Sequence, residues 1–347
     1  MKYQFSKKLI KPFNHFFIMA ISEDRDFHEV VSDSEIKIMD CTIRDGGLMN
    51  NHLFNDETVK AVYDACVTSG IDYMEIGYKN TTRIFSPSDY GAWKFCREED
   101  IRRIVGENDT HLKLSAMADA EKSDYRDILP KDKSVLDMIR VAAYIHQVPL
   151  ALDMIKDAHD KGYETAINLM AVSVIEIDDL DKTLELLASS EVTIIYIVDS
   201  YGALLPRQTR SIMKKFLYHA ESAGKQIGIH AHNNRQLALA NTLEAINLKA
   251  NILDASMAGC GRGAGNCQME LLMSFLHNPK YRLRPVLECI QYHIEPLRDK
   301  LLWGYDIPYM MTGHLNIHPG VAMQFNLGRD KGNIVKLFNL LGRGEGG

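Results

Sequence analysis

Eight short apolar runs recur between residues 36 and 259, separated by amphipathic stretches of helical period. They are IKIMDCT (36–42), IDYMEIGY (71–78), HLKLSAMA (111–118), VLDMIRVAA (135–143), ETAINLMAV (164–172), VTIIYIVDS (192–200), QIGIHAHN (226–233) and ILDASMAG (252–259). Such alternation predicts repeated βα units around a parallel sheet. An open doubly wound sheet usually has fewer strands and a nucleotide loop after the first. Eight repeats therefore predict an α/β fold closed as a (β/α)8 TIM barrel.

The helical stretches carry their own end signals. In NDETVKAVYDACVTSG, Asn55 or Asp56 can cap the start and Gly70 stops the end. Comparable segments are DLDKTLELLASS, LPRQTRSIMKKFLYHAESAG and RQLALANTLEAINLKA. After residue 278 the rhythm gives way to helices broken by Pro and Gly. The expected division is an N-terminal arm over 1–34, a barrel over 35–278 and a C-terminal helical region over 279–347. Within the arm, FNHFFIMAI (13–21) is too short to span a bilayer, and acidic residues follow it. It reads as a segment packed on the body or on a partner subunit, with a signal peptide as the alternative.

A net charge of −6 without a dense Lys/Arg block argues against nucleic acid or an anionic membrane as the main partner. The six cysteines are scattered and form no CxxC pair, which fits reduced thiols in a cytoplasmic protein and argues against structural zinc.

Polar residues at the C-terminal ends of barrel strands are where chemistry is expected. The first strand ends in Asp40, Cys41, Thr42, Ile43, Arg44, Asp45, Gly46 and Gly47; the sixth ends in Asp199, Ser200 and Tyr201; the seventh ends in His230, Ala231, His232, Asn233 and Asn234. Side chains alternate along a strand, so His230 and His232 face one side. A lone strand histidine is usually a satisfied core residue. Two at this spacing make half a metal site, which Asp45 or Asp40 can complete as a two-His, one-carboxylate set. A guanidinium at Arg44 beside a metal suits an oxyanion. The loop GCGRGAGN (259–266) offers backbone N–H groups to an anion, a weak signal by itself.

Taken together, DCTIRDGG (40–47), HAHNN (230–234) and AGCGRGAGN (258–266) resemble the signature regions of the DRE-TIM metallolyases. That superfamily includes 4-hydroxy-2-oxovalerate aldolase, hydroxymethylglutaryl-CoA lyase and the isopropylmalate and homocitrate synthases. VDSYGALLP (198–206) and GAGNCQMELL (263–272) look most similar to the aldolase branch.

The resemblance implies a divalent metal, Mn²⁺ before Mg²⁺, Co²⁺ or Zn²⁺, held by Asp45, His230 and His232. It implies that Arg44 stabilises an enolate oxygen and that Asn266 lies close to the metal. The expected catalytic residues are Arg44, Asp45 and Tyr201, and the expected substrate-binding residues are Arg44, Gly46, Ser200 and Asn266. The relatives also suggest a homodimer or a complex with an aldehyde dehydrogenase. In the aldolases a histidine follows Arg-Asp-Gly within a few residues as the catalytic base; here Gly47 and Leu48 follow. Replacements in reach are His52, Tyr78, Lys79, Tyr201, Tyr305, Tyr309, His314 and His318.

The expected reaction is cleavage or formation of a carbon–carbon bond in a small 4-hydroxy-2-oxo acid through a pyruvate-type enolate. The alternatives are a Claisen-type acyltransferase joining acetyl-CoA to a 2-oxo acid, and a barrel that keeps the metal without catalysis.

Overall fold

The structure, a computed structural model, describes residues 36–276 and 278–342; the arm expected over 1–34 lies outside them. Each apolar run coincides with a strand, β3 alone passing the end of its run by one residue: β1 (Lys37–Asp40), β2 (Tyr73–Tyr78), β3 (Lys113–Asp119), β4 (Met138–Ala143), β5 (Glu164–Leu169), β6 (Ile194–Asp199), β7 (Gln226–Ala231) and β8 (Ile252–Ala255). They pair in chain order, and β1 closes the barrel on β8, with Lys37 opposite Ile252 and Asp40 opposite Ala255. β1, β5, β6, β7 and β8 end before their runs do, and the last residues of those runs lie in the loops at the mouth. Those loop residues, rather than the strands, carry most of the polar groups described below.

The helices between strands are α1 (Thr42–Gly46), α2 (Asp56–Ser69), α3 (Glu98–Val105), α4 (Val148–Asp160), α5 (Ile177–Ala188), α6 (Pro206–Ser222) and α7 (Ala238–Asn247). The end signals of α2 act as expected: the Asn55 side chain accepts a hydrogen bond from the Thr58 amide, and Gly70 takes φ of 78°. One unit departs from the pattern. The β3–β4 connection holds only two single 3₁₀ turns, Tyr125–Asp127 and Lys131–Lys133. AEKSDYRDILPKDKS (120–134) has Pro130 and too few spaced apolar residues to bury a helix face.

Two hydrophobic layers result. Residues from the outer strand faces and the surrounding helices form the larger one, including Ile38, Ile76, Leu114, Ile195 and Phe216. Inside the barrel a smaller cluster comes from the strands and the first residue after β1: Met39, Cys41, Tyr73, Met138, Ala166, Ile194, Tyr196, Val198 and Ile252.

The chain continues through α8 (Met269–Phe275), α9 (Leu283–Cys289), α10 (Ile307–His314), α11 (Gly320–Leu327) and α12 (Ile334–Leu341). The segment before α10 and the helix itself return across the barrel mouth. Trp303 Nε1 donates to the Ala258 carbonyl at 2.9 Å, Asn316 Nδ2 donates to the Ser173 carbonyl at 2.9 Å, and Asn234 Nδ2 donates to the Tyr309 carbonyl at 3.3 Å. Thus the C-terminal region is tied to the loops after β5, β7 and β8, the edge that faces the predicted chemistry. Among the described residues, no helix is long and apolar enough to cross a membrane.

Candidate metal centre

Asp45, His230 and His232 converge at the mouth, each offering one ligand atom within 4.8 Å of the others. All three are buried. They come from opposite ends of the sequence because β1, β8 and β7 are consecutive around the closed barrel. Asp45 sits on the one-turn helix α1, which aims its carboxylate back over the strand ends.

Each imidazole is fixed from behind. His230 Nδ1 donates to Asp254 Oδ2 at 2.9 Å, and His232 Nδ1 donates to Asn266 Oδ1 at 3.0 Å. These bonds assign the proton to Nδ1 and leave the lone pair on Nε2, the state a metal ligand needs. His230 Nε2 lies 3.9 Å from Asp45 Oδ2, and both atoms are buried without a hydrogen-bond partner among the described residues. Burial would raise the Asp45 carboxyl, but Arg44 first, then His232 and His230, hold it far below the usual carboxylate range. Burial keeps His232 neutral. The cluster is an ionised carboxylate with two imidazoles whose Nδ1 atoms are engaged from behind, a set that matches a divalent cation with open positions. A side chain at Gly261 would reach within 2.9 Å of Asp45 Oδ2, so the Gly-rich loop approaches the cluster only because residue 261 has none.

Arg44 is equally constrained. Its Nε donates to Glu75 Oε2 at 2.6 Å and its Nη1 to Asp45 Oδ1 at 3.1 Å, while Nη2 has no partner. Beneath this lies an ion-pair layer. Arg140, fully buried, meets Glu75 at 2.8 Å and Asp254 at 2.5 Å. Glu75, Arg140 and Asp254 were not among the residues expected from sequence, although each is a charge inside an apolar run, and a charge there needs a partner.

The remaining expected residues fall in several places. Asn266 reaches the cluster through His232 rather than directly. Ser200 Oγ accepts from the Ala171 amide at 2.9 Å, while the Ser200 carbonyl accepts from Arg262. Tyr201 stands edge-on to His318, with ring centroids 5.7 Å apart. A Cβ at Gly46 would meet Cys260 Sγ at 2.8 Å. Asp40 does not join the ligand set: its carboxylate accepts from Thr42 Oγ1 at 2.6 Å and from the Thr42 amide at 3.1 Å, and burial raises it to about 7. Cys41 also lies near His230 and Asp254, and there burial pushes its thiol far up. Lys79 is spent on the Cys96 carbonyl and Glu98, and Tyr305 and His314 are exposed.

Comparison with known proteins places the chain in a family. Residues 35–292 match the HMGL-like family model. An oxaloacetate decarboxylase from Mycobacterium tuberculosis is 32% identical over 243 residues, 69% of this chain and 69% of its own. A 4-hydroxy-2-oxovalerate aldolase from Geobacillus genomosp. 3 is 27% identical over 268 residues, 76% of this chain and 78% of its own. Among solved structures, the N-terminal domain of a candidate aldolase from Bacteroides vulgatus has a TM-score of 0.71 at 28% identity, covering 87% of this chain and 100% of that one. The family match spans most of the barrel and every residue of the buried cluster, and on that ground the chain belongs to the HMGL-like family and is a metal-dependent carbon–carbon lyase.

Proposed function

We propose that this lyase acts on a 4-hydroxy-2-oxo acid, breaking or forming the carbon–carbon bond through a pyruvate-type enolate, with Asp45, His230 and His232 as ligands of Mn²⁺. The observation that carries the reading is the pair of orphaned buried acceptors, Asp45 Oδ2 and His230 Nε2, aimed at one point beside an orphaned Arg44 Nη2. Buried polar atoms left unpaired cost about 1–3 kcal/mol each, so a site that keeps three together is built for something that pairs with them.

A divalent cation in this cluster supplies Lewis acidity towards the oxygens of a 2-oxo acid. The protein's own residues do the rest. Arg44 is clamped by Glu75 and Asp45, so Nη2 donates to a developing oxyanion without first reorganising. Asp254 and Asn266 hold the two imidazoles in the required tautomer and orientation. In this reading Tyr201 relays a proton in the aldol cleavage: its phenol, protonated at neutral pH by its ordinary value and raised further by burial, gives a proton to the enolate carbon and takes the 4-hydroxyl proton in return. Six buried free cysteines fit a reducing cytoplasm.

A second reading follows from the Mycobacterium tuberculosis relative, named an oxaloacetate decarboxylase. Loss of CO₂ from oxaloacetate leaves the same pyruvate enolate, so the same residues would serve. The test is pyruvate release from 4-hydroxy-2-oxovalerate and from oxaloacetate by metal-loaded protein. EDTA is expected to abolish release and Mn²⁺ to restore it. The faster substrate decides between the two bonds, and full turnover in chelator overturns both readings.

A further inference from the structure

Two basic side chains near Arg44 take no part in the chemistry above, and they share the ring of Tyr78 at the end of β2. His52 packs edge-on to that ring, with centroids 5.2 Å apart, and Lys94 Nζ lies 4.7 Å from its centroid. His52 is 1% exposed, yet neither ring nitrogen has a hydrogen-bond partner among the described residues. Its backbone is left-handed, φ of 60°, as is that of Asn51, φ of 53°. Non-glycine residues held there in succession indicate a conformation imposed by the surroundings. The surroundings make room for it: a Cβ at Gly47 would sit 2.1 Å from His52 Nδ1, and one at Gly91 would sit 2.0 Å from the His52 carbonyl oxygen.

Lys94 is also buried, with Nζ 4.1 Å from the Phe85 centroid and 5.5 Å from that of Tyr90. Aromatic faces attract a cation, but they accept its N–H groups only weakly. Nζ forms no ion pair among the described residues. The nearest acid to influence it, Asp119, is shared with Lys122 and Asn80. Burial, then the charges of Lys94 and Arg44, push His52 down to about 3, and burial brings Lys94 to about 8. An imidazole and an ammonium with no ion pair among the described residues thus flank one aromatic ring, with the charges of Lys94, Arg44 and Asp45 all near enough to act on His52.

We infer that His52 and Lys94 form a second anion subsite, which takes a carboxylate at the far end of the 2-oxo acid and makes the preferred substrate dicarboxylic. One cation with one neutral donor matches the single negative charge of a carboxylate better than a dianionic phosphate. The inference rests on the proposed function, because it presupposes that a 2-oxo group occupies the metal end.

Calorimetric binding of two inert five-carbon ligands to the Mn²⁺-loaded protein tests it: 2-oxoglutarate, which has the distal carboxylate, and 2-oxovalerate, which lacks it. A charge-assisted bond predicts that 2-oxoglutarate binds about 10- to 100-fold more tightly. Lys94→Met is expected to bring the two affinities together, and Lys94→Arg to keep them apart. His52→Phe is expected to narrow the gap in part, with metal content in each variant measured by mass spectrometry. Equal affinities in the parent protein overturn the subsite, as does a gap that survives Lys94→Met. If 2-oxovalerate binds and 2-oxoglutarate gains nothing, this inference alone fails. If neither ligand binds the loaded protein, the proposed function fails with it.

Discussion

Two layers of buried charge lie one above the other in this barrel, and they are built to opposite ends. In the lower layer, Arg140 and Arg44 face Glu75 and Asp254, two cations against two carboxylates, at contact distances between 2.5 and 2.8 Å. The upper layer has the ionised Asp45 and two imidazoles, with Asp45 Oδ2 and His230 Nε2 unpaired. Both layers are buried and both keep unpaired atoms, Glu75 Oε1, Arg140 Nε and Asp254 Oδ1 in the lower one. What differs is that the lower layer balances two guanidinium groups against two carboxylates, whereas the upper one presents carboxylate and imidazole lone pairs, which suit a cation. Asp254 belongs to both, since it accepts from Arg140 below and from His230 above. The lower layer thereby orients the upper one.

Breaking the lower layer is expected to have the largest effect. Arg140→Met leaves Glu75 and Asp254 buried without their shared cation. Removing one partner of a buried pair costs about 3–5 kcal/mol, which urea denaturation will register as a lower midpoint. A midpoint unchanged within error would mean that the layer does not hold the barrel together.

Breaking the upper layer should affect binding and rate rather than stability. Asp45→Asn is expected to lose the metal, measured by mass spectrometry, and to lower kcat/KM by about 10²- to 10³-fold. Its urea midpoint should move far less than that of Arg140→Met, because Arg44 keeps Glu75. A variant with full metal content and parental rate refutes the ligand assignment.

The link between the layers gives a smaller effect. Asp254→Asn weakens the acceptor behind His230, and losing such a partner typically costs about 10- to 100-fold in metal affinity. A chelator-competition titration measures it, and unchanged affinity would separate the two layers.

A pH-dependent effect concerns Asp40, which borders both layers but joins neither. Burial raises its pKa from the ordinary 3.8 to about 7 in the folded state, so the folded protein holds this proton more tightly than the unfolded chain does. That contribution to stability is complete below the ordinary value and is lost as pH rises through 7. Asn at this position has no proton to lose. The melting temperature of Asp40→Asn relative to the parent should therefore climb between pH 4 and pH 7.5. A flat difference would show that Asp40 stays ionised when folded.

Much of this was legible in the chain. Seven of the eight strands lie within the apolar runs and β3 overruns its own by Asp119 alone, and the Asn55 and Gly70 signals bound α2 as expected, because local periodicity and capping chemistry act within a few residues. The β3–β4 unit was misread as helical, since its charged, Pro-containing segment has no apolar face to dock. At the site, Asp45, His230 and His232 do converge, as strand alternation and barrel closure require. Asp40 was an equal candidate by sequence, and only the turn at Thr42 diverts it.

By itself, then, the sequence determined the number and order of the βα units and the residue types at the barrel mouth. It could do so because both follow from spacings of a few residues. The tertiary structure alone decided which charges close on one another and which stay open. It set Arg140 between Glu75 and Asp254, put Asp254 and Asn266 behind the imidazoles, and seated His52 in the gap left by Gly47 and Gly91. The reason is physical: pairing energy depends on distance and burial, and residues as far apart in the chain as 75, 140 and 254 meet only when the barrel closes.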